Sequence, residues 1–141
     1  PAVINTAYPI TYSTTVEAFG VALDAAFRSR IVVARAGVYN FQFSAQLDKA
    51  TGGVADIHIW FRKNGVDIAD SASHVVISGT NDQKVAAWNY LLTMRAGDYF
   101  ELVWSADSTA VQLHTIAAIP PVPATPAIIM TVCYVCPDAV V

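Results

Sequence analysis

Residues 36–47 read AGVYNFQFSAQL, and the stretch alternates with a period of two. Tyr39, Phe41, Phe43, Ala45 and Leu47 fall on one side of an extended chain, and Val38, Asn40, Gln42, Ser44 and Gln46 fall on the other. Successive side chains of a strand point to opposite faces, so the aromatic side predicts a core face. The second side offers amides, a hydroxyl and a valine but no charge. Such a face suits a neighbouring protein, because closing over it strands no ion in a dry interface.

The alternation recurs almost throughout. It predicts strands over residues 7–15, 21–27, 30–34, 37–47, 54–63, 74–78, 84–94, 98–106, 110–118 and 126–135. Turn signals separate them at Gly52-Gly53, Asn64-Gly65 and Gly97-Asp98. Asn64-Gly65 is the strongest, since a two-residue hairpin turn needs positive φ at both central residues. Residues 14–27 have some helical spacing, but Gly20 interrupts it and the threonines and valines weaken it, so loop and strand are expected there. The run IPPVPATP, 119–126, lacks regular ladder donors and predicts an extended crossover before the last strand. No internal repeat of fixed period is present. The expected architecture is all-β, roughly eight to ten strands in two packed antiparallel sheets. Residues 1–141 form a single domain in this reading, with 136–141 a short C-terminal tail.

Composition narrows the function. Charged residues make up 13% of the chain, against about 25% in an average soluble domain. A lone monomer would want more charge on its exterior, so other subunits are expected to cover much of it. The net charge is -3, and the densest basic group is only Arg28, Arg30 and Arg35. Phosphate backbones need several neutralising cations, which argues against nucleic acid as a partner. No apolar run approaches the roughly 20 residues of a membrane span, so no membrane partner is expected. No basic start followed by an apolar stretch suggests a signal peptide. Cys133 and Cys136 form a lone Cys-x-x-Cys in a strand context. With no second pair and no helix to open, they read as small apolar residues near the end of the last strand, pointing to opposite faces.

The chain offers little chemistry. Asp56, His58, Trp60 and Arg62 share one strand face, and Asp-x-His could supply two metal ligands. Trp60 stands where a further ligand would be needed, so the expectation is no metal and a polar outer face whose Trp60 packs on a neighbour. Glu17 and Glu101 are the only glutamates, and Glu101, out of phase with Phe100 and Leu102, should face outward. Asp98 should satisfy turn donors beside Gly97. Asp67, Asp70 and Asp82 read as solvated loop acids. No nucleophile elbow or phosphate-cradling loop is present. Neither an enzyme nor a cofactor is expected.

Gly37, Tyr39, Phe41 and Phe43 form the pattern G-x-Y-x-F-x-F, and LTMRAGDYFEL at 92–102 adds a Leu-x-Met pair, Gly97-Asp98 and alternating apolar positions. Together these resemble the jelly-roll superfamily of complement globular heads and tumour-necrosis-factor-like domains. SRIVVARAGVYNFQFSAQL, IWFRKNG, AAWNYLLTMRAGDYFELVW and the Pro-rich run before AIIMTV are similar to a β-sandwich domain of bacteriophage structural proteins. The resemblance covers most of residues 4–135. It departs from the complement heads at the last strand, which reads IIMTVCYV, and no collagen-like or heptad stalk precedes the domain. The start at Pro1, close to the domain edge, argues against hanging from a long fibre by the N-terminus.

The resemblance implies a jelly-roll homotrimer. It further implies a virion decoration or cement protein, assembled in the host cytoplasm and seated on the capsid exterior, where it would bridge subunits of the major capsid protein. The expected subunit-interface residues are Asn40, Gln42, Gln46, His58, Trp60, Asn89 and Leu91. The alternative is a receptor-binding tip domain of a tail fibre, spike or head fibre, whose loops at 48–53, 69–73 and 106–109 would meet a glycan. A signalling ligand of the tumour-necrosis-factor type is a more distant third.

Overall fold

The structure, a computed structural model, describes residues 1–137. The chain forms β1 (Tyr8–Pro9), β2 (Val21–Leu23), β3 (Ile31–Val33), β4 (Gly37–Lys49), β5 (Val54–Lys63), β6 (Val66–Asp67), β7 (Ser73–Ser78), β8 (Asp82–Met94), β9 (Tyr99–Ala106), β10 (Val111–Leu113) and β11 (Ile128–Cys136). The fold is all-β, and every strand pairing is antiparallel. In the larger sheet β9 lies between β5 and the β3–β1 edge; β2 extends past β3, while β6 and β7 share the far side of β5. The smaller sheet is organised on β4, with β8 along one side and β11 and β10 along the other.

The predicted alternation is what joins the sheets. Tyr39, Phe41, Phe43, Ala45 and Leu47 of β4 are all buried, as are Ala55, Ile57, Ile59 and Phe61 of β5. Phe41 stacks on Phe100 with ring centroids 3.9 Å apart, and Phe43 meets Phe61 edge to face at 6.0 Å. The two layers therefore interlock through aromatic pairs, which contribute about 0.5–1.5 kcal/mol each beyond their buried area. At one end of this core Lys49 is also buried, and its ammonium donates to the carbonyls of Thr51, Gly52 and Gly53 at 2.7, 2.7 and 2.6 Å. A buried cation is tolerable there because all three of its donors are used.

The structure differs from the sequence expectation at several places. The strand expected over 7–15 reduces to Tyr8–Pro9, after which the backbone makes only scattered bonds, Ile10 to Leu102 and Tyr12 to Arg28. The strand expected over 21–27 stops at Leu23, because Asp24 turns the chain by accepting the N–H groups of Ala26 and Phe27. The strand expected over 110–118 is Val111–Leu113 only. The Pro-rich run is no extended crossover. Residues 116–125 fold back as a hairpin, with bridges Ile116–Thr125 and Ile119–Val122 and its tip at Pro120 and Pro121. The four donors it needs come from non-proline positions, so the prolines do not interrupt it.

Glu101 faces away from the core as expected but is covered. It is 5% exposed, takes a 2.6 Å bond from Ser29, and lies 3.6 Å from Arg30 Nε. The cysteines also differ from expectation. A bulge between Tyr134 and Cys136 sets Cys136 opposite Val38, while Cys133 lies opposite Asn40, so both register with outward-facing β4 residues. Both thiols are free and exposed. Of the expected tail, Cys136 ends β11 and residues 138–141 lie outside the described residues.

Candidate functional site

The two outward faces of the sandwich differ in kind. On the smaller sheet, cross-strand rows run Gln46–Val85, Ser44–Ala87 with Ile129, Gln42–Asn89 with Thr131, and Asn40–Leu91 with Cys133. No residue in these rows carries a charge. Val85, Leu91 and Ile129 are 62%, 59% and 51% exposed. Asn89 donates to Asn40 at 3.1 Å, which leaves the other amides, Gln42 and Gln46, free to bond elsewhere. Charge returns at one end, where Asp48 meets His114 at 3.2 Å.

The larger sheet is polar on its outward side. Asp56 contacts His74 at 2.7 Å, and His58 stacks on His74 with centroids 4.9 Å apart. Asp67 accepts from Arg62 Nε at 2.7 Å and from the Trp60 indole at 2.9 Å. Those two bonds, that from Arg62 being the stronger cause, hold the Asp67 carboxyl below its usual range. Trp60 is half-buried here, its N–H already taken. Among the described residues no group of three or more His, Cys, Asp or Glu is placed to hold a metal ion.

The expected interface residues thus divide. Asn40, Gln42, Gln46, Asn89 and Leu91 come together on the smaller sheet, whereas His58 and Trp60 lie on the opposite side of the sandwich. One flat contact cannot hold both sets. Val85, Ile129 and Cys133 join the first set, and the cue for them was the same alternation, read along 84–94 and 126–135 and aligned by register.

Two further features sit beside the neutral face. Among the described residues, β8 and β11 each pair only with β4, so the smaller sheet has an open edge on either side. Open edges are usually blunted by charge or cover, because their free N–H and C=O groups invite another strand. From Ile128 to Cys136, β11 has no charged residue. Next to it lies a groove of about 1440 Å³ between residues 11–23 and the open edge of β11. Val16 and Phe19 on its rim are 93% and 92% exposed. Tyr12 lines it too, with a hydroxyl that is buried without a partner and a pKa raised by that burial.

No protein-family model matches the chain, and no curated protein does.

Proposed function

We propose that this chain is a structural protein of a bacteriophage virion: a jelly-roll decoration protein that sits as a homotrimer on the exterior of the head and bridges major capsid subunits. The observation that carries the reading is the uncharged, partly aliphatic face of the smaller sheet, flanked by open edges and set against a polar face on the opposite sheet. A protein that works alone has no use for such a face, which risks aggregation. One that works in contact with its own kind buries it. The likeness of the chain's motifs to phage β-sandwich proteins supplies the virion setting.

The work in this reading is mechanical, with no catalysis and no cofactor. A protein that binds only the assembled lattice stabilises it by mass action. Under the alternative reading, a receptor-binding tip, the glycan would meet loops around the polar sheet. Copy number per particle separates the two: hundreds of copies support decoration, and a handful supports a tip. For assembly itself, Cys133 is a native reporter at the β11 edge of the neutral face, read in a Cys136→Ser background. Its labelling by a maleimide should be fast in dilute, dissociated protein and slow in the assembled form; equal rates would refute burial of this face.

A further inference from the structure

We infer that the hairpin of residues 115–127 is an exchange arm, which leaves its own subunit and seats in the groove beside β11 of a second copy. The inference rests on the self-assembly reading and adds the contact that would close the assembly. Residues 115–124 are exposed without interruption, and Ile116, Ile119 and Val122 are 37%, 68% and 59% exposed. A small hairpin held by two bridges buries too little of its own surface to need three outward aliphatic side chains. Residues 115–137 contain no Asp, Glu, Lys or Arg.

The groove matches the arm in charge and size. Of its lining side chains only Glu17 and Arg28 are charged, and one wall is the open edge of β11 from Ile128 to Cys133, where Ile128, Met130 and Val132 are half-buried. At about 1440 Å³ it exceeds the roughly 300–1,000 Å³ of small-molecule sites. Polypeptide is the occupant of that scale, and a neutral one strands no ion against the apolar wall. The arm is rooted at the groove's own mouth, since Thr115, Pro126 and Ala127 belong to the lining. Four of the chain's seven prolines lie in 120–126. They stiffen the arm before contact and lower the ordering cost of docking.

The test uses trans cross-linking in a Cys133→Ser, Cys136→Ser background. One preparation carries Pro121→Cys on the arm and the other Phe19→Cys on the groove rim. The two are mixed and oxidised, with Asp70→Cys as a distant control. Arm exchange predicts a disulfide-linked dimer from the Pro121→Cys and Phe19→Cys mixture and none from the control. Val122→Asp should shift the sedimenting species toward monomer with an unchanged β-type circular dichroism spectrum. Wild-type protein that sediments as a monomer at all concentrations would overturn both the assembly reading and the arm. An assembled protein that survives Val122→Asp, with no trans cross-link, would overturn the arm alone. So would a Pro121→Cys, Phe19→Cys double variant that closes only within one chain.

Discussion

The Asn64 side-chain amide donates to the Asp98 carboxylate at 2.8 Å, and its own carbonyl accepts the N–H of Tyr99 at 2.9 Å. Asn64 sits in the tight turn between β5 and β6, and Asp98 in the turn that carries the chain from the smaller sheet to the larger one. The pair locks those two turns together. Lys63 reinforces it, 3.0 Å from Asp98, as does the N–H of Arg95 at 2.8 Å.

This network sets an acid limit on stability. Burial by itself would raise the Asp98 pKa, but the bonds from Arg95 and Asn64 and the Lys63 ammonium outweigh it and bring the carboxyl to about 2. A carboxyl depressed on folding adds stability above its unfolded pKa of about 3.9, and that stability is lost as pH falls through the folded value. Asp98→Asn should therefore be less stable than wild type at neutral pH, by about 1–3 kcal/mol. The gap should close between about pH 4 and pH 2. Urea unfolding at a series of pH values checks this, and a gap independent of pH would refute it.

Two glycines should differ in their tolerance. A Cβ on Gly37 would lie 2.5 Å from the Tyr134 ring and 2.6 Å from the Cys136 carbonyl, at φ 154°. Gly37→Val should cost about 2–3 kcal/mol or prevent folding, because backbone stands in the way. Gly65 has φ 80° beside Asn64 at φ 49°. Its substitution meets only the Tyr99 hydroxyl at 3.2 Å. Gly65→Ala should cost about 1–2 kcal/mol, the penalty of the left-handed region. Thermal melts of both variants test the ranking.

Lys49 should hold the 51–53 loop. Lys49→Met keeps much of the stem's packing but leaves the three carbonyls of Thr51, Gly52 and Gly53 without their donor. The expected loss is about 3 kcal/mol. Hydrogen exchange gives the sharper reading: the Gly79 amide, bonded to Gly53 at 3.2 Å, should lose protection.

Tyr12 should tolerate loss of its hydroxyl. That oxygen is buried with no partner, so Tyr12→Phe removes an unpaid desolvation cost while keeping the ring. Stability should stay level or rise by about 1 kcal/mol. A clear loss in denaturant unfolding would mean that the hydroxyl has a partner in solution.

Leu91 tests the neutral face. Leu91→Lys places a cation in the uncharged row of Asn40 and Cys133, on a side chain already exposed to solvent. The fold should change little, within about 0.5 kcal/mol. Analytical ultracentrifugation should nevertheless show weaker association than wild type, whereas His58→Lys on the opposite sheet should leave that contact intact.

Much of the fold was legible because alternation has a direct physical cause. Where a strand is buried on one face, as in 37–49 and 54–63, the aromatic and aliphatic positions fix which side faces in. Asn64-Gly65 was legible for a different reason, since few other dipeptides tolerate two positive φ values. The misses have physical causes as well. In 7–15 and 110–118 whether the chain pairs depends on a partner far along the sequence, which local pattern cannot report, while in 21–27 the Asp24 turn ends the strand. Glu101 was placed on the correct face, yet its cover by Ser29 and Arg30 is a tertiary event. The neutral face could be read strand by strand. Its separation from His58 and Trp60 needed the sheet order.

The position of β4 has a consequence for folding. Its partners in the smaller sheet, residues 82–94, 111–113 and 128–136, all follow it in the chain. Until residues 128–136 pair, Tyr39, Phe41 and Phe43 have one flank bare, and a partly folded chain carries a sticky, unfinished layer. Completion of this layer is thus governed by long-range closure and slow on the scale of domains of its size.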